Sequence, residues 1–377
     1  MKQLECSLTS QRAFRQEVFW RFVQKQVTWL AGELIHKLLD AALRDHLKAG
    51  WNKRTAERRG HRNGFYRRGL TTPHGKLAVS IPRCRQGGLD TTAIFDRYQR
   101  RIADVDRILR HAYLLGTSTR GLSELAEQIY GGCISHQTIS QLMRWMDAEL
   151  RSWRNRPLEP IYPIIYIDGM YVNIEGDRRV VMLVAGERHD GTLEILDFRI
   201  SKSEYCADML EDLRQRGLGD VKIFVSDDSR AIRHALEEVY PLVPWQSCTF
   251  HRLSRLRDNI GPTEYRDLMV KEAARIFRCP SRDAAINAAR AWAKKWMHVA
   301  PYAVELFMEG LTDSLTFYDM PINLWKKVRT NNRLERLIRT LRTRLDPMGS
   351  FQNENAALRA VFGQLLRWHK INLTHNT

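Results

Sequence analysis

The sequence predicts an α/β protein: a mixed sheet flanked by helices, with an all-α insertion, preceded by a mainly helical domain that carries a β-hairpin. Three observations predict it. Residues 162–174, 179–186 and 193–200 are short apolar, β-branched and aromatic runs, the pattern of an antiparallel meander. Helix and strand patterns then alternate through 203–216, 221–226, 229–239 and 245–248. Residues 252–325 return to helix, long enough to be an insertion rather than a connection.

Taken in order, residues 11–49 place Phe19, Phe22, Val23, Val27, Leu30, Leu34, Leu38 and Leu39 at three- and four-residue steps. That is an amphipathic helical pattern, read as a packed helical pair, with a dimerisation surface as the alternative. Residues 51–68 hold Lys53, Arg54, Arg58, Arg59, Arg62, Arg67 and Arg68 against the single acid Glu57, with glycines and aromatics interleaved. Such a segment suits a phosphate backbone. Residues 70–72 and 77–81 flank Pro73-His-Gly75, and Leu77, Val79 and Ile81 alternate, so a β-hairpin is expected, ending at Pro82. Residues 83–90 read as a loop.

Residues 118–130 read as a helix, Gly131-Gly132-Cys-Ile as a turn, and 135–150 as a second helix capped by Ser135. This is the pattern of a helix-turn-helix, with His136, Gln137, Ser140, Gln141 and Arg144 facing outward. Residues 151–160 are basic and proline-containing, which marks the main domain boundary. The expected organisation is therefore a helical segment over 1–50, a DNA-binding region over 51–155, the first part of the α/β domain over 156–251, the insertion over 252–328, and a returning helix plus a terminal helix over 329–377.

Charge narrows the function. A net charge of +17 favours a polyanionic partner, nucleic acid before membrane. The cysteines (Cys6, Cys84, Cys133, Cys206, Cys248, Cys279) form no Cys-x-x-Cys, which suits a reducing cytoplasm and argues against a disulfide framework. No apolar leader and no 18-residue apolar run is present, so neither a signal peptide nor a membrane span is expected. A cytoplasmic, nucleoid-associated location follows.

Two of the strands are expected to end on carboxylates, at Asp168 before Gly169 and at Asp227-Asp228 before Ser229. A carboxylate at the end of a buried strand is costly unless it faces water, a base or a metal. A third acid, Glu335, stands among arginines on the helix beginning near 330. On it Leu334, Leu337, Ile338, Leu341 and Leu345 make the packing face, and Arg339 and Arg342 lie on the glutamate's side. Two strand-end aspartates and one helical glutamate is the pattern of RNase H-like nucleases and DDE transposases. Asp168 and Asp227 are 59 residues apart, and Glu335 follows 108 later, a gap that requires the helical insertion. Asp228 competes with Asp227, but the strand pleat points the two oppositely.

The chemistry explains the residue types. Phosphodiester cleavage, or transfer to a 3′-hydroxyl, needs a deprotonated attacker and charge relief on the phosphoryl group and leaving oxygen. Two Mg²⁺ (or Mn²⁺) ions supply both, and they take oxygen ligands, so a few carboxylates suffice. No phosphate loop is present and no nucleotide cofactor is required. Cys248-x-x-His251 has no partner pair to complete a zinc site, so it reads as a pair shaping the edge of the active site.

These residues resemble the Mutator-type transposases of bacterial insertion sequences, from about residue 50 to about 370. The resemblance rests on Arg62-Asn-Gly-Phe-Tyr-Arg-Arg, Leu70-Thr-Thr-Pro-His-Gly, Gly116-Thr-Ser-Thr-Arg120, Asp168-Gly-Met-Tyr-Val, Cys248-x-x-His251, Thr330-Asn-Asn-Arg-Leu-Glu335 and Gly349-Ser-Phe. It implies a DDE recombinase that binds the terminal inverted repeats of its element, cuts the ends and joins them to target DNA, as a homodimer or higher assembly. Asp168, Asp227 and Glu335 would be the triad. The family's usual Asp-Gly at the second acid is Asp227-Asp228-Ser here, and counting back from Tyr240-Pro241 favours Asp227. The alternatives are a metal-dependent DNA nuclease on the same core and a DNA-binding protein without recombinase activity.

Overall fold

The computed structural model describes residues 12–375 apart from 86, 87, 93, 95, 97 and 160, with side chains from 16 to 368. The chain divides into two compact units, Met1–Arg144 and Trp145–Thr377. Cys6 lies outside the described residues, and the other five cysteines are free thiols.

The first unit opens with α1 (Arg12–Leu47), one continuous helix where a helical pair was expected. The stretch holds no proline, and its one glycine, Gly32, leaves the backbone bonds intact. One face of α1 packs Ala31, Ile35 and Leu39 on the hairpin residues Leu70, Leu77, Val79 and Ile81. The hairpin, β1 (Arg62–Thr72) and β2 (Gly75–Cys84), is longer than its alternation indicates. Arg67 and Arg68 therefore lie in a strand. Pro82 does not end the hairpin: it pairs with Phe65, and a two-stranded ribbon leaves each strand an outer edge where a missing N–H costs nothing.

Three helices follow: α2 (Ala103–Leu114), α3 (Thr119–Tyr130) and α4 (His136–Leu142). Ser118 and Ser135 cap the second and third, and Gly131 takes φ +63° to end α3. The expected helix over 135–150 stops at Leu142. Trp145–Arg154 is a separate helix, α5, within the second unit. It packs on the terminal helix α14 (Glu354–His375), where Arg359 pairs with Asp147 at 2.6 Å. The boundary thus falls ahead of the 151–160 stretch that the prolines and charges mark.

The second unit is built on one sheet of order β5-β4-β3-β6-β7. Strands β3 (Ile164–Ile174), β4 (Asp177–Glu187) and β5 (Leu193–Ser201) form the antiparallel meander. Helix α6 (Ala207–Gln215) leads to β6 (Ile223–Ser226), parallel to β3, and α7 (Arg230–Val239) leads to β7 (Trp245–Ser247). This is the RNase H-like arrangement, a mixed sheet with helices against it. A short β8 (Ser350–Phe351) pairs with the far end of β3. Helices α6 and α7 cover one face with Met209, Leu210, Leu213, Ile232 and Leu236 over Ile165, Ile167 and Val184.

Between β7 and the helix that carries Glu335 lies the insertion: α8 (Thr249–Asn259), α9 (Arg266–Ile276), α10 (Arg282–Trp296), α11 (Pro301–Met308), 3-10 turns over Leu311–Asp319, and α12 (Trp325–Val328). Of its tryptophans Trp292 and Trp296 are buried and Trp325 is half-buried, and Trp292 packs against Phe307 with the rings tilted. Helix α13 (Asn332–Leu345) then returns to the sheet with Leu334, Leu337, Ile338, Leu341 and Leu345 buried.

Candidate functional site

The sheet sets the height of the two aspartates. Strands β3 and β6 pair in parallel, Ile164 with Ile223 through Tyr166 with Val225. The same 59-residue offset relates Asp168 to Asp227, so the two acids are level. Asp168 is not at a strand end, however. β3 runs through it to Ile174, and Asp168 pairs with Leu183 of β4. It is open on its other side because β6 stops at Ser226. The apolar run ends at Asp168, but β4 continues to supply ladder bonds beyond it.

Helix α13 brings Glu335 to the same place. A pocket of about 320 Å³ is lined by Asp168, Asp227, Glu335, Glu204, Arg339 and Arg342, with Tyr171, Phe250 and His251 at its wall. Its carboxylates are held without enough partners. Asp168 accepts the Gly169 N–H at 2.8 Å, but Asp227 Oδ1 and Glu335 Oε1 are buried with no hydrogen-bond partner. Burial, and then the charges of Asp227 and Glu335, push Asp168 up to about 8. Burial and then Glu204 push Asp227 up to about 6. Desolvated carboxylates that line one pocket, two of them with orphaned oxygens, offer the oxygen donors a hard divalent cation takes, and the residue types fit Mg²⁺ or Mn²⁺.

Both acids follow the end of β6 at Ser226, so the strand pleat does not set their directions, and Asp228 does not line the pocket. It accepts from Arg255 at 2.8 Å and from the buried Arg252 at 3.1 Å. Arg252 also donates to Ser314 Oγ and the Glu309 carbonyl, so Asp228 ties the strand end to the insertion.

Cys248 and His251 sit on the first turn of α8. Burial lifts the Cys248 thiol to about 11, and its sulfur accepts the Asn331 N–H at 3.3 Å. Burial lowers the His251 pKa, and its Nε2 lies 3.6 Å from Glu335 Oε1. The ligand atoms of Cys248, His251 and Glu335 lie within 4.8 Å of one another. No fourth protein ligand joins them among the described residues, and the thiol is held as a hydrogen-bond acceptor.

Sequence reasoning missed Glu204. It sits in the connection before α6, accepting Tyr171 Oη at 3.0 Å and Ser229 Oγ at 2.6 Å. A lone acid before a helix carries no signal beyond an ordinary helix start. Only the tertiary fold makes it a fourth carboxylate of the pocket.

The basic residues of the first unit fall into two groups. Arg54, Arg59 and Arg67 are exposed. Arg58, Arg62 and Arg68 are half-buried and serve the fold: Arg58 donates to the Gly60 carbonyl, Arg62 pairs with Asp40 at 2.8 Å, and Arg68 donates to the carbonyls of Asp96 and Gln99. His136 and Gln137 are exposed on the first turn of α4. Arg144 is exposed but lies past the end of α4, so it shares no helix face with them.

With this geometry in place, comparison with known proteins is direct. The family model described as "Transposase, Mutator family" matches residues 9–370. A transposase for insertion sequence element ISRM5 of Rhizobium meliloti is 30% identical, covering 89% of this chain and 86% of that protein. The transposase for insertion sequence element IS256 in transposon Tn4001 of Staphylococcus aureus is 27% identical over 89% of this chain and 88% of its own length. Among solved structures, the HTLV-2 integrase catalytic core domain in complex with magnesium is 14% identical, with a TM-score of 0.19 over 38% of this chain and 88% of that one. The chain belongs to the Mutator family of insertion-sequence transposases.

Proposed function

We propose that this chain is a DDE transposase. It binds the terminal inverted repeats of its insertion sequence and cleaves and joins DNA strands with two Mg²⁺ or Mn²⁺ ions held by Asp168, Asp227 and Glu335. The observation that carries the reading is the convergence of these acids, with orphaned oxygens, in one pocket walled by Arg339 and Arg342. Bound there, the cations supply charge relief on the phosphoryl group and a deprotonated attacker at neutral pH. The carboxylates then work as ligands rather than as proton carriers, since metal binding requires the deprotonated forms that burial alone disfavours. Arg339 and Arg342 pair with phosphate oxygens and orient the scissile strand. Cys248 and His251 support the pocket wall, with His251 beside Glu335.

In the amino-terminal region, Arg54, Arg59 and Arg67 contact phosphates, and His136 and Gln137 reach base edges from α4. Arg144 extends the phosphate contacts beyond α4. Arg58, Arg62 and Arg68 shape the surface that carries them. Double-stranded DNA, as element ends and as target, is the partner, and two ends require a homodimer or higher assembly. No helix of the described residues is long and apolar enough to cross a membrane.

The test uses purified protein and a labelled fragment carrying the sequence that flanks its gene, in Mg²⁺, Ca²⁺ or EDTA, with wild type beside Glu335→Gln. The expected result is cleavage at a defined end and joined products in Mg²⁺ alone. Glu335→Gln should lose at least about 10³-fold in rate with DNA binding intact. Cleavage without joining would identify a nuclease. Equal cleavage by the mutant would remove Glu335 from the site, and binding without cleavage by either would leave a DNA-binding protein.

A further inference from the structure

We infer that Asn331 is a positioning residue which, with Cys248, forms a buried clamp holding the three acids in register. The inference rests on the transposase reading of the pocket. Three backbone points matter. Ile167 immediately precedes Asp168, Ser226 immediately precedes Asp227, and Asn331 caps the helix of Glu335, whose N–H donates to the Asn331 carbonyl at 3.1 Å.

One short run of hydrogen bonds joins all three points. Asn331 Nδ2 donates to the Ile167 carbonyl at 3.2 Å. The Asn331 N–H donates to Cys248 Sγ at 3.3 Å. The Cys248 N–H donates to the Ser226 carbonyl at 2.7 Å. A second strut, from the Thr249 N–H to the Arg329 carbonyl at 3.1 Å, braces the same junction. Asn331 and Cys248 are both 0% exposed.

The clamp stands where the sheet runs out. The last β3–β6 pair is Tyr166 with Val225, so the ladder between the two aspartate strands ends before either acid. Beyond that pair β3 and β6 form no further register pair among the described residues. The Asn331 side chain and the Cys248 backbone span it. Packing does not explain the amide, because Asn331 Oδ1 is buried without a partner. A buried, unsatisfied carbonyl oxygen costs stability, and leucine would occupy similar space without it, at the loss of the bond to the Ile167 carbonyl. What the amide supplies is a directed donor at a point one residue from Asp168. Active-site groups need placement to within about 0.5 Å.

The experiment uses the full chain as Asn331→Leu, Cys248→Ala and Cys248→Ser. Thermal unfolding, affinity for element-end DNA, cleavage rate at saturating DNA and the Mn²⁺ dependence of that rate are measured for each. Asn331→Leu should remain folded at the assay temperature and bind DNA within about threefold of wild type. Its rate should fall by about 10–100-fold and its half-saturating Mn²⁺ should rise about tenfold. Cys248→Ala should show the same split between affinity and rate, and Cys248→Ser should recover most of it, because a hydroxyl still accepts the Asn331 N–H.

Wild-type rate and Mn²⁺ dependence in folded Asn331→Leu would overturn the clamp, as would a rate loss that follows the loss of folded protein. Inert wild-type protein would overturn the transposase reading instead. The clamp is then decided by Mn²⁺ affinity from electron paramagnetic resonance: about tenfold weaker binding in Asn331→Leu supports it, and equal binding rejects it.

Discussion

Asp227 and Asp228 are neighbours in sequence and opposites in role. Asp227 turns a buried oxygen without a partner into the pocket, while Asp228 neutralises the buried Arg252. Asp227→Asn should abolish strand cleavage with little change in unfolding temperature, since the site loses a ligand and a costly buried charge together. Asp228→Ala should instead cost about 2–3 kcal/mol, less than a fully buried pair because Asp228 is 24% exposed. Chemical denaturation of the two variants beside activity assays checks the contrast. Asp168 gives a pH test. In metal-free protein burial pushes the Asp168 carboxyl up to about 8, from an ordinary value of about 4. The native state therefore holds a proton that the unfolded chain releases. The stability it contributes is complete below about pH 4 and is lost as pH rises to about 8. In EDTA, Asp168→Asn should flatten the fall in unfolding temperature across that window.

At the scale of elements, α13 matters as a lever. Its apolar stripe sets the rotation that aims Glu335, Arg339 and Arg342 at the pocket. Leu341, 1% exposed, anchors the middle of that stripe. Leu341→Ala should cost about 2–4 kcal/mol in denaturant unfolding. The hairpin behaves differently, because its basic residues divide between fold and surface. Arg62 is held by Asp40 against α1, and that partner keeps the Asp40 carboxyl below its usual range. Arg62→Ala should lower the unfolding temperature. Arg67→Ala, exposed in the same strand, should leave stability alone and weaken DNA binding, with the slope of log affinity against log salt reduced by about 1.

For the whole molecule, a charge of +17 acts on association rather than on fold. Affinity for DNA should fall steeply and linearly in log salt, for matched and unmatched sequences alike, because phosphate contacts dominate the term. The division into two compact units makes a second expectation. Residues 145–377 contain the sheet, all the pocket acids and the insertion that braces them. Expressed alone, they should give a cooperative unfolding transition that Mn²⁺ raises, and this rise should vanish in the Asp168→Asn, Glu335→Gln double variant.

Much of this was legible in the primary structure because it is written in local periodicity. Short apolar, β-branched runs mark the meander, the leucine stripe marks α13, and serines at helix starts mark α3 and α4. Net charge points to nucleic acid without any fold. The 59-residue spacing already contains the register of β3 against β6, although only the sheet shows that the two coincide. What the sequence could not decide was set by contacts between distant segments. Asp168 lies inside a strand because β4, not its own neighbours, extends the ladder past it. Glu204 and Asn331 carry no local signal, one an acid before a helix and the other an amide before another. Their roles arise from partners far along the chain, Tyr171 for Glu204 and Ile167 for Asn331. Periodicity is a local property and can be read from one segment. The completion of a polar site depends on which distant groups the closed sheet leaves unpaired, and only the tertiary structure determines that.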